Sequence, residues 1–571
     1  MLGQLTLPRG FKTFQKLAFK AKSPLLKHPH DFDQTDLADL SNQKGDSITE
    51  LSEEDQATLT EERAADNVDV CIVGGGPAGL ATAIKLKQLD NEEGNGDLRV
   101  VVLEKAGDFG SHIVSGAVLE PRALKELFPD SEHLNEDGSG IPLPEDLVTL
   151  VEEDHMKYLT KQYAFLLPEP PQMKNKDKNY IASLGSVVQY LSEQAGELGV
   201  ETYPGISVSE LVYTDNGAVK GVATKDVGIG KDYTPKLVTV LAEGCHGSLT
   251  KKAVAKYDLR KNSDPQTYGL GIKEVWRVPE ENFIKGFVGH TMGYPLSSDV
   301  YGGDGLVAVG LVVGLDYANP YISPYQEFQK MKTHPYYANV LEGGECISYG
   351  ARALNEGGYQ SVPKLHFPGG VLVGCSAGFM NVPKIKGTHT AMKSGIELDV
   401  VDEETDMEEH ILDLKKFEED FKNSWAYKEL YEVRNDLLGF DWIGPLWIDH
   451  HVDPWSRALD VSHNHTDAQS TKDASNYSPI DYPKPDGKLT FDILTSVSRT
   501  GTYHQEDEPC HLRIPQQDHR KHAEISWPKY KGVEQRFCPA GVYEYIEDES
   551  EPLGVKFNIN SQNCITAKLR Y

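Results

Sequence analysis

Gly74, Gly76 and Gly79 form GxGxxG in the run VDVCIVGGGPAG. A dinucleotide needs that spacing where a strand gives way to a helix. Gly74 permits the tight turn, and Gly76 lets backbone approach a pyrophosphate. Gly79 allows close helix–sheet packing, and the helix N-terminus offers free N–H groups to the phosphates. Glu104 ends the next apolar run, LRVVVLEK, 104 − 79 = 25 residues after Gly79. A carboxylate at that point accepts hydrogen bonds from ribose hydroxyls. Two later glycine signals follow. VTVLAEGCHG carries Glu243 and Gly244 near its end, where backbone could again meet a cofactor. GCSAGFMNVPKIKGTHTAMKSG (374–395) is a glycine-rich loop running into a helix. The positive end of that helix suits negative charge on a reduced flavin ring. One glycine turn does not choose between NAD and FAD. Three such elements between residues 74 and 395 suit a long FAD lying across one domain, although each later element alone reads as readily as a plain loop.

Other reactive residues are less telling. Cys538 and Cys564 lie 564 − 538 = 26 residues apart. A 4Fe-4S cluster wants four thiolates, so spacing alone reads them as two structural thiols. His450, His451, His463 and His465 fall in or near a linker and lack an ordered zinc-ligand pattern. Cys245 and His246 are neighbours in sequence, a poor geometry for a nucleophile and its base. No HExxH is present.

The elements that must hold these residues are readable in outline. VDVCIVG is a buried strand, LATAIKLKQL a helix and LRVVVLEK a second strand, so the globular part opens βαβ with a parallel sheet. Residues 111–200 change character, with Pro-rich pieces (IPLPED, LLPEPPQ) and one amphipathic helix, LGSVVQYLSEQAGELG. Residues 210–226 read as a hairpin turning at Asn216-Gly217. GLVAVGLVVGLDY and GGVLVGCSAGF are further strands, and a helix starts near Thr388. A polar linker at 462–478 precedes a turn-rich C-terminal unit.

The chain has 571 residues, length enough for several domains, and seven cysteines, too few for a disulfide scaffold of that size. Its 57 basic and 87 acidic residues give a net charge of −30, which disfavours nucleic-acid binding. No apolar run is long enough for a helix to span a bilayer, and attachment to one leaflet stays open. Residues 1–30 hold no acid, and basic residues interleave with Leu and Phe, as a mitochondrial presequence does. Residues 31–66 then form an acidic linker.

Long stretches of the chain resemble the electron-transfer flavoprotein:ubiquinone oxidoreductase family. They include VDVCIVGGGPAGLATAIKLKQL, LEPRALKELFPD, AEGCHGSLTKK, DPQTYGLGIKEVW, GLVVGLDYANPYISPYQEF, YGARALNEGGYQSVPKL, GCSAGFMNVPKIKGTHTAMKSG and EQRFCPAGVYEY. The resemblance implies an α/β and α+β architecture. A glutathione-reductase-like FAD domain (67–110, 201–260 and 345–400) carries an inserted ubiquinone-binding domain (111–200 and 261–344). A helical and linker region (401–478) and a C-terminal ferredoxin-like domain (479–571) follow. It implies a mitochondrial enzyme on the matrix side of the inner membrane. Electrons would pass from reduced electron-transfer flavoprotein through FAD to ubiquinone, linking fatty-acid and amino-acid oxidation to the respiratory chain. Gly74, Gly76, Gly79 and Glu104 map to the adenosine half of FAD. Gly387, Thr388 and Thr390 map to the start of the flavin-proximal helix. Gly302 and Gly303, in YGG, map near the quinone.

The chain departs from the family in two places. The family's cluster motif is FCPA followed by QNCxxCxxC. Cys538 and Cys564 match its first two ligands, but Ala567 and Arg570 stand at the other two, so the ferredoxin-like domain reads as truncated at its cluster motif. Alanine offers no ligand atom and arginine no acceptor, so a standard 4Fe-4S cluster is not expected here. The second departure is the segment after YEVRN. It is short and broken by acids, with Leu437, Leu438, Phe440, Trp442, Ile443, Leu446 and Trp447 as an interfacial patch. Two alternatives therefore accompany the main reading. One is an FAD oxidoreductase using another electron donor, and the other is a non-catalytic FAD-binding variant.

Overall fold

The computed structural model describes residues 66–92, 94, 96–113, 116–224, 238–295, 298–303, 305–399, 414–434, 465–502 and 516–567. The presequence-like start, most of the acidic linker, the 437–447 apolar segment, His450, His451, His463 and Arg570 lie outside those residues.

Two sheets organise the rest. The first has six strands in the order His366–Phe367, Gly370–Leu372, Val238–Leu241, Val70–Val73, Val100–Glu104, Glu201–Pro204. Every pairing is parallel except that of the two short edge strands at His366 and Gly370. Val70–Val73 and Val238–Leu241 are buried at every position, as strands covered on both faces must be. The Pro77–Glu92 helix buries Leu80, Ala81, Ile84 and Leu86 against this sheet. The Leu184–Glu197 helix adds Val187, Val188, Leu191 and Ala195 to the same core. Ser183 caps it by accepting from the Ser186 N–H. The hairpin at Asn216-Gly217 forms between Val208–Tyr213 and Val219–Thr224, with Gly217 at φ +89° in the turn.

The second sheet has seven strands in the order Glu345–Asn355, Tyr268–Arg277, Leu306–Gly314, Ser298–Gly303, Phe287–Gly293, Glu153–Leu159, Ala164–Leu167. Only Phe287–Gly293 with Glu153–Leu159 is a parallel pair. Trp276, Tyr325, Phe328 and Tyr337 build the core behind it, where Phe491, Cys538, Ala540, Ile565 and Ala567 of the C-terminal segment join them. Inside that core Lys332 Nζ meets Glu274 Oε2 at 2.8 Å, both side chains fully buried. Trp276 Nε1 donates to the same carboxylate at 2.8 Å. The C-terminal segment adds the Gln516–Tyr530 helix and an antiparallel hairpin, Tyr543–Glu547 with Val555–Ile559. Among the described residues no helix is long and apolar enough to cross a membrane.

Candidate functional site

The three glycines behave differently on close inspection. Gly74 has φ +112°, and a Cβ there would lie 2.4 Å from the Ala242 carbonyl oxygen. A Cβ on Gly79 would lie 2.1 Å from the Gly74 oxygen. These two are fixed by the fold itself. A Cβ on Gly76 would meet nothing within 4 Å, so that glycine faces open space at the start of the Pro77–Glu92 helix. Glu104 ends its strand beside them. Its Oε2 accepts from the Gly75 N–H at 2.9 Å and its Oε1 from the Ala106 N–H at 2.8 Å. Two backbone bonds fix the carboxylate and leave lone pairs for hydroxyl donors.

The later glycine elements converge on the same corner. Ala242, next to Glu243, packs on Gly74, and Gly244 turns the chain at φ +76°. The Glu243 carboxylate itself serves the Ser248–Lys256 helix. It accepts from the Thr250 N–H at 2.7 Å and from the Thr250 hydroxyl at 2.8 Å. Gly374 sits between two helices: a Cβ there would lie 2.7 Å from Ala78 Cβ and 3.5 Å from Ala391 Cβ. Ala78 is in the first turn of Pro77–Glu92 and Ala391 in the first turn of Thr388–Ile396. Two helix N-termini therefore stand side by side, each with a positive end. Gly387 is the N-cap of the second. Thr388 is half-buried, and its hydroxyl has no bond among the described residues. Thr390 is fully buried, and its hydroxyl bonds the Phe379 and Gly387 carbonyl oxygens. Its hydrogen is committed within the loop. The Ser376 hydroxyl in that loop is buried without a partner. An open cradle at Gly76, a fixed carboxylate, paired helix ends and an orphaned hydroxyl together fit an elongated dinucleotide such as FAD.

An ion-pair network braces the second helix. His389 Nε2 lies 2.8 Å from Glu429 Oε1, and Lys384 Nζ bridges Glu120 at 2.5 Å and Glu429 at 3.1 Å. Glu120, His389 and Glu429 bring three possible metal-ligand atoms within 4.8 Å of one another. The Lys384 ammonium already supplies the positive charge between the two carboxylates. Burial works against the charged form of Glu429. His389, Lys384 and Asn381 outweigh it and hold the carboxyl down to about 2.

Gly302 and Gly303 end the Ser298–Gly303 strand, opposite Val307 and Leu306 at the tip of a hairpin. At the far edge of the same sheet an apolar hairpin is exposed. Tyr163 is 66%, Phe165 55% and Leu166 69% exposed. Sequence reading missed it, because LLPEPPQ reads as a Pro-rich loop. The period-two pattern of Tyr163, Phe165 and Leu167 was the available signal.

In the C-terminal segment Cys538 is buried, and the backbone N–H groups of Ala540, Val542 and Tyr543 face its sulfur. Burial pushes this thiol up, and nearby Cys564 adds to the effect. Ala567 is 7% exposed, and its carbonyl accepts from the Ala353 N–H at 2.8 Å. A methyl group thus stands at the position that the sequence reading gives to the third ligand. Among the described residues this pocket offers two thiols, which do not fit a four-thiolate cluster.

Residues 268–354 match the family described as "ETF-QO, ubiquinone-binding", and residues 487–569 match "Electron transfer flavoprotein-ubiquinone oxidoreductase, 4Fe-4S". Residues 72–126 match "NAD(P)-binding Rossmann-like domain". The chain is 59% identical to the Saccharomyces cerevisiae "Probable electron transfer flavoprotein-ubiquinone oxidoreductase, mitochondrial", over 91% of this chain and 89% of that protein. It is 47% identical to the Homo sapiens "Electron transfer flavoprotein-ubiquinone oxidoreductase, mitochondrial", over 89% and 86%.

Proposed function

The chain belongs to the electron transfer flavoprotein-ubiquinone oxidoreductase family, and from that premise we propose the work of its own residues. The reaction takes electrons from reduced electron-transfer flavoprotein and gives them to ubiquinone. FAD supplies the redox chemistry when bound. Gly76 and the Pro77–Glu92 helix end hold its pyrophosphate, and Glu104 takes the ribose. The Thr388–Ile396 helix end faces the ring, where its dipole stabilises added negative charge. The observation that carries this reading is Gly374 wedged between the first turns of both helices. The two phosphate- and ring-facing ends are thereby one rigid unit, of the kind a glutathione-reductase-like FAD domain uses.

Ubiquinone enters by the second sheet, near Gly302 and Gly303. The exposed Tyr163, Phe165 and Leu166 edge meets the matrix face of the mitochondrial inner membrane. The Ala567 methyl group favours a second reading of the electron route, in which electrons reach the flavin without passing through a cluster. The test is quinone reduction by the FAD-loaded protein, with reduced electron-transfer flavoprotein as donor and then with that donor omitted. Donor-dependent turnover supports the reading. Retained FAD with no quinone reduction from any donor would mean a non-catalytic flavin-binding variant.

A further inference from the structure

A contiguous set of side chains grips the Thr388–Ile396 helix from outside and closes on its first turn. Gly387 caps that turn without a side-chain bond, so the Thr388, His389 and Thr390 N–H groups are the donors this helix end leaves open. His389 is the anchor. Its side chain is 1% exposed, and its Nε2 lies 2.8 Å from Glu429 Oε1 and 3.8 Å from Glu120 Oε2. Glu429 is ionised at neutral pH, so its oxygens only accept, and the Nε2 proton points at them. Asn381 Nδ2 reaches the same oxygen at 2.8 Å, and Lys384 Nζ reaches Oε2 at 3.1 Å. Both come from the loop closed by the Asn381–Lys386 backbone bridge. Ile385 in that loop, a β-branched residue, has φ +55°, a conformation such residues rarely adopt. Strain of this kind persists where the surroundings over-determine it, most often at functional sites.

Trp425 closes the other side. It opens the Trp425–Glu432 helix, which also carries Glu429. Its ring stacks on His389, with centroids 5.8 Å apart and planes 11° from parallel. The Arg122 guanidinium lies 4.0 Å from the centre of the same Trp425 ring. Trp425 Nε1 donates to Glu126 Oε1 at 2.5 Å, and Lys393, one turn along from His389, meets Glu126 Oε2 at 2.7 Å. Arg122 and Glu126 belong to the Arg122–Leu127 helix. Two neighbouring helices and one strained loop thus converge on the side chains of His389 and Lys393.

We propose that His389 and Glu429 are positioning residues for the flavin: the bond between them fixes the first turn of the Thr388–Ile396 helix against the ring and thereby sets the flavin potential. The inference rests on the FAD reading of this helix. Neither side chain reacts. A helix end stabilises negative charge only over its first turn. A turn released from Glu429 therefore loses more of its hold on the negative, reduced ring than on the oxidised ring, and the potential falls. Direct charge would act with the opposite sign at Glu429. A carboxylate near the ring opposes added negative charge, so its removal by charge alone would raise the potential.

The test titrates the flavin midpoint potential at neutral pH in the FAD-loaded full chain. The variants are His389→Ala, Glu429→Ala, the two together, and His389→Gln. Each alanine variant is expected to hold reduced FAD about tenfold less well relative to oxidised FAD, a fall of about 30 mV in the two-electron midpoint. The double variant falls no further, because one bond is lost in all three. His389→Gln offers an uncharged N–H to Glu429 and keeps the wild-type potential. A wild-type potential in His389→Ala would overturn the proposal. A rise in Glu429→Ala, additive falls in the double variant, or a shifted potential in His389→Gln would do the same. Should an alanine variant lose FAD, the remaining variants decide on these terms. A wild type that binds no FAD overturns the FAD reading and this proposal together. FAD held normally, with no fall in the alanine variants, overturns the proposal and leaves that reading standing.

Discussion

Glu429 Oε1 lies 2.8 Å from His389 Nε2, tying the Trp425–Glu432 helix to the helix that faces the proposed flavin ring. Lys384 and Asn381 reach the same carboxylate from the strained loop, at 3.1 Å and 2.8 Å. The folded carboxyl sits near 2 instead of its ordinary 4.5. A depressed acid stabilises the fold fully above its unfolded value. That contribution, about 3 kcal/mol, is lost as pH falls from 4.5 through 2. Glu429→Gln is therefore expected to lower the urea midpoint at neutral pH and to differ less from wild type as the acid limb is entered. A constant difference at every pH would mean that the charge of Glu429 is not what matters.

The glycine turn predicts two opposite phenotypes for one chemical change. Gly76→Ala places its methyl in open space, so the FAD-free fold keeps its stability while FAD binding weakens by about tenfold or more. Gly79→Ala drives its methyl to 2.1 Å from the Gly74 oxygen, so the fold itself is damaged. Thermal midpoints without FAD, set beside flavin titrations, separate the two. A Gly76→Ala variant that binds FAD normally would remove the pyrophosphate from this turn.

The Lys332–Glu274 pair is fully buried. Breaking one partner leaves an uncompensated charge, so Lys332→Met is expected to cost about 3–5 kcal/mol. Lys332→Met with Glu274→Leu is expected to cost less than Lys332→Met alone, because no bare charge remains. The pair backs the core that joins the second sheet to the C-terminal segment. Unfolding of that segment, followed by hydrogen exchange at Phe557 and Ile559, reports the difference.

What the sequence shows and hides follows from the range of the interactions. The strand at Val70, the helix at Pro77 and the strand at Val100 are local patterns, and all three lie where the apolar periods put them. So does the turn at Gly217, because Asn-Gly specifies it within two residues. The seven-stranded sheet is different. Glu153–Leu159 pairs with Phe287–Gly293 across more than a hundred residues of chain, which no local pattern records. The Glu243 carboxylate caps a helix five residues on, a role its place after a strand does not suggest. Lys386 reads as one more basic residue in PKIKG. Its burial, to 6% exposed, comes from the folded chain around it and not from any local pattern.

The cluster pocket makes an analytical prediction. With Ala567 buried where a thiolate is needed, iron and acid-labile sulfide are expected near zero against a full complement of FAD. Replacing Ala567 and Arg570 by cysteine together is expected to raise both toward about four per flavin. About four of each in the unaltered chain would require ligands beyond Cys538 and Cys564.

The exposed hairpin makes the last prediction. Tyr158, Tyr163, Phe165 and Leu166 are 45%, 66%, 55% and 69% exposed on the edge strand, its neighbour and the turn between them. Exposed Lys161 lies between Tyr158 and Tyr163, a cation beside aromatic rings of the kind suited to a lipid interface. These side chains contribute little to the core, so replacing them leaves the fold intact. Phe165→Ser with Leu166→Asp is expected to reduce co-sedimentation with vesicles containing anionic lipid by about tenfold, at unchanged FAD content. Reduction of a water-soluble short-chain quinone would persist, while reduction of a long-chain quinone held in the vesicles would fall. Co-sedimentation equal to wild type would move the lipid-facing surface off this edge and leave the 437–447 segment as the remaining apolar candidate.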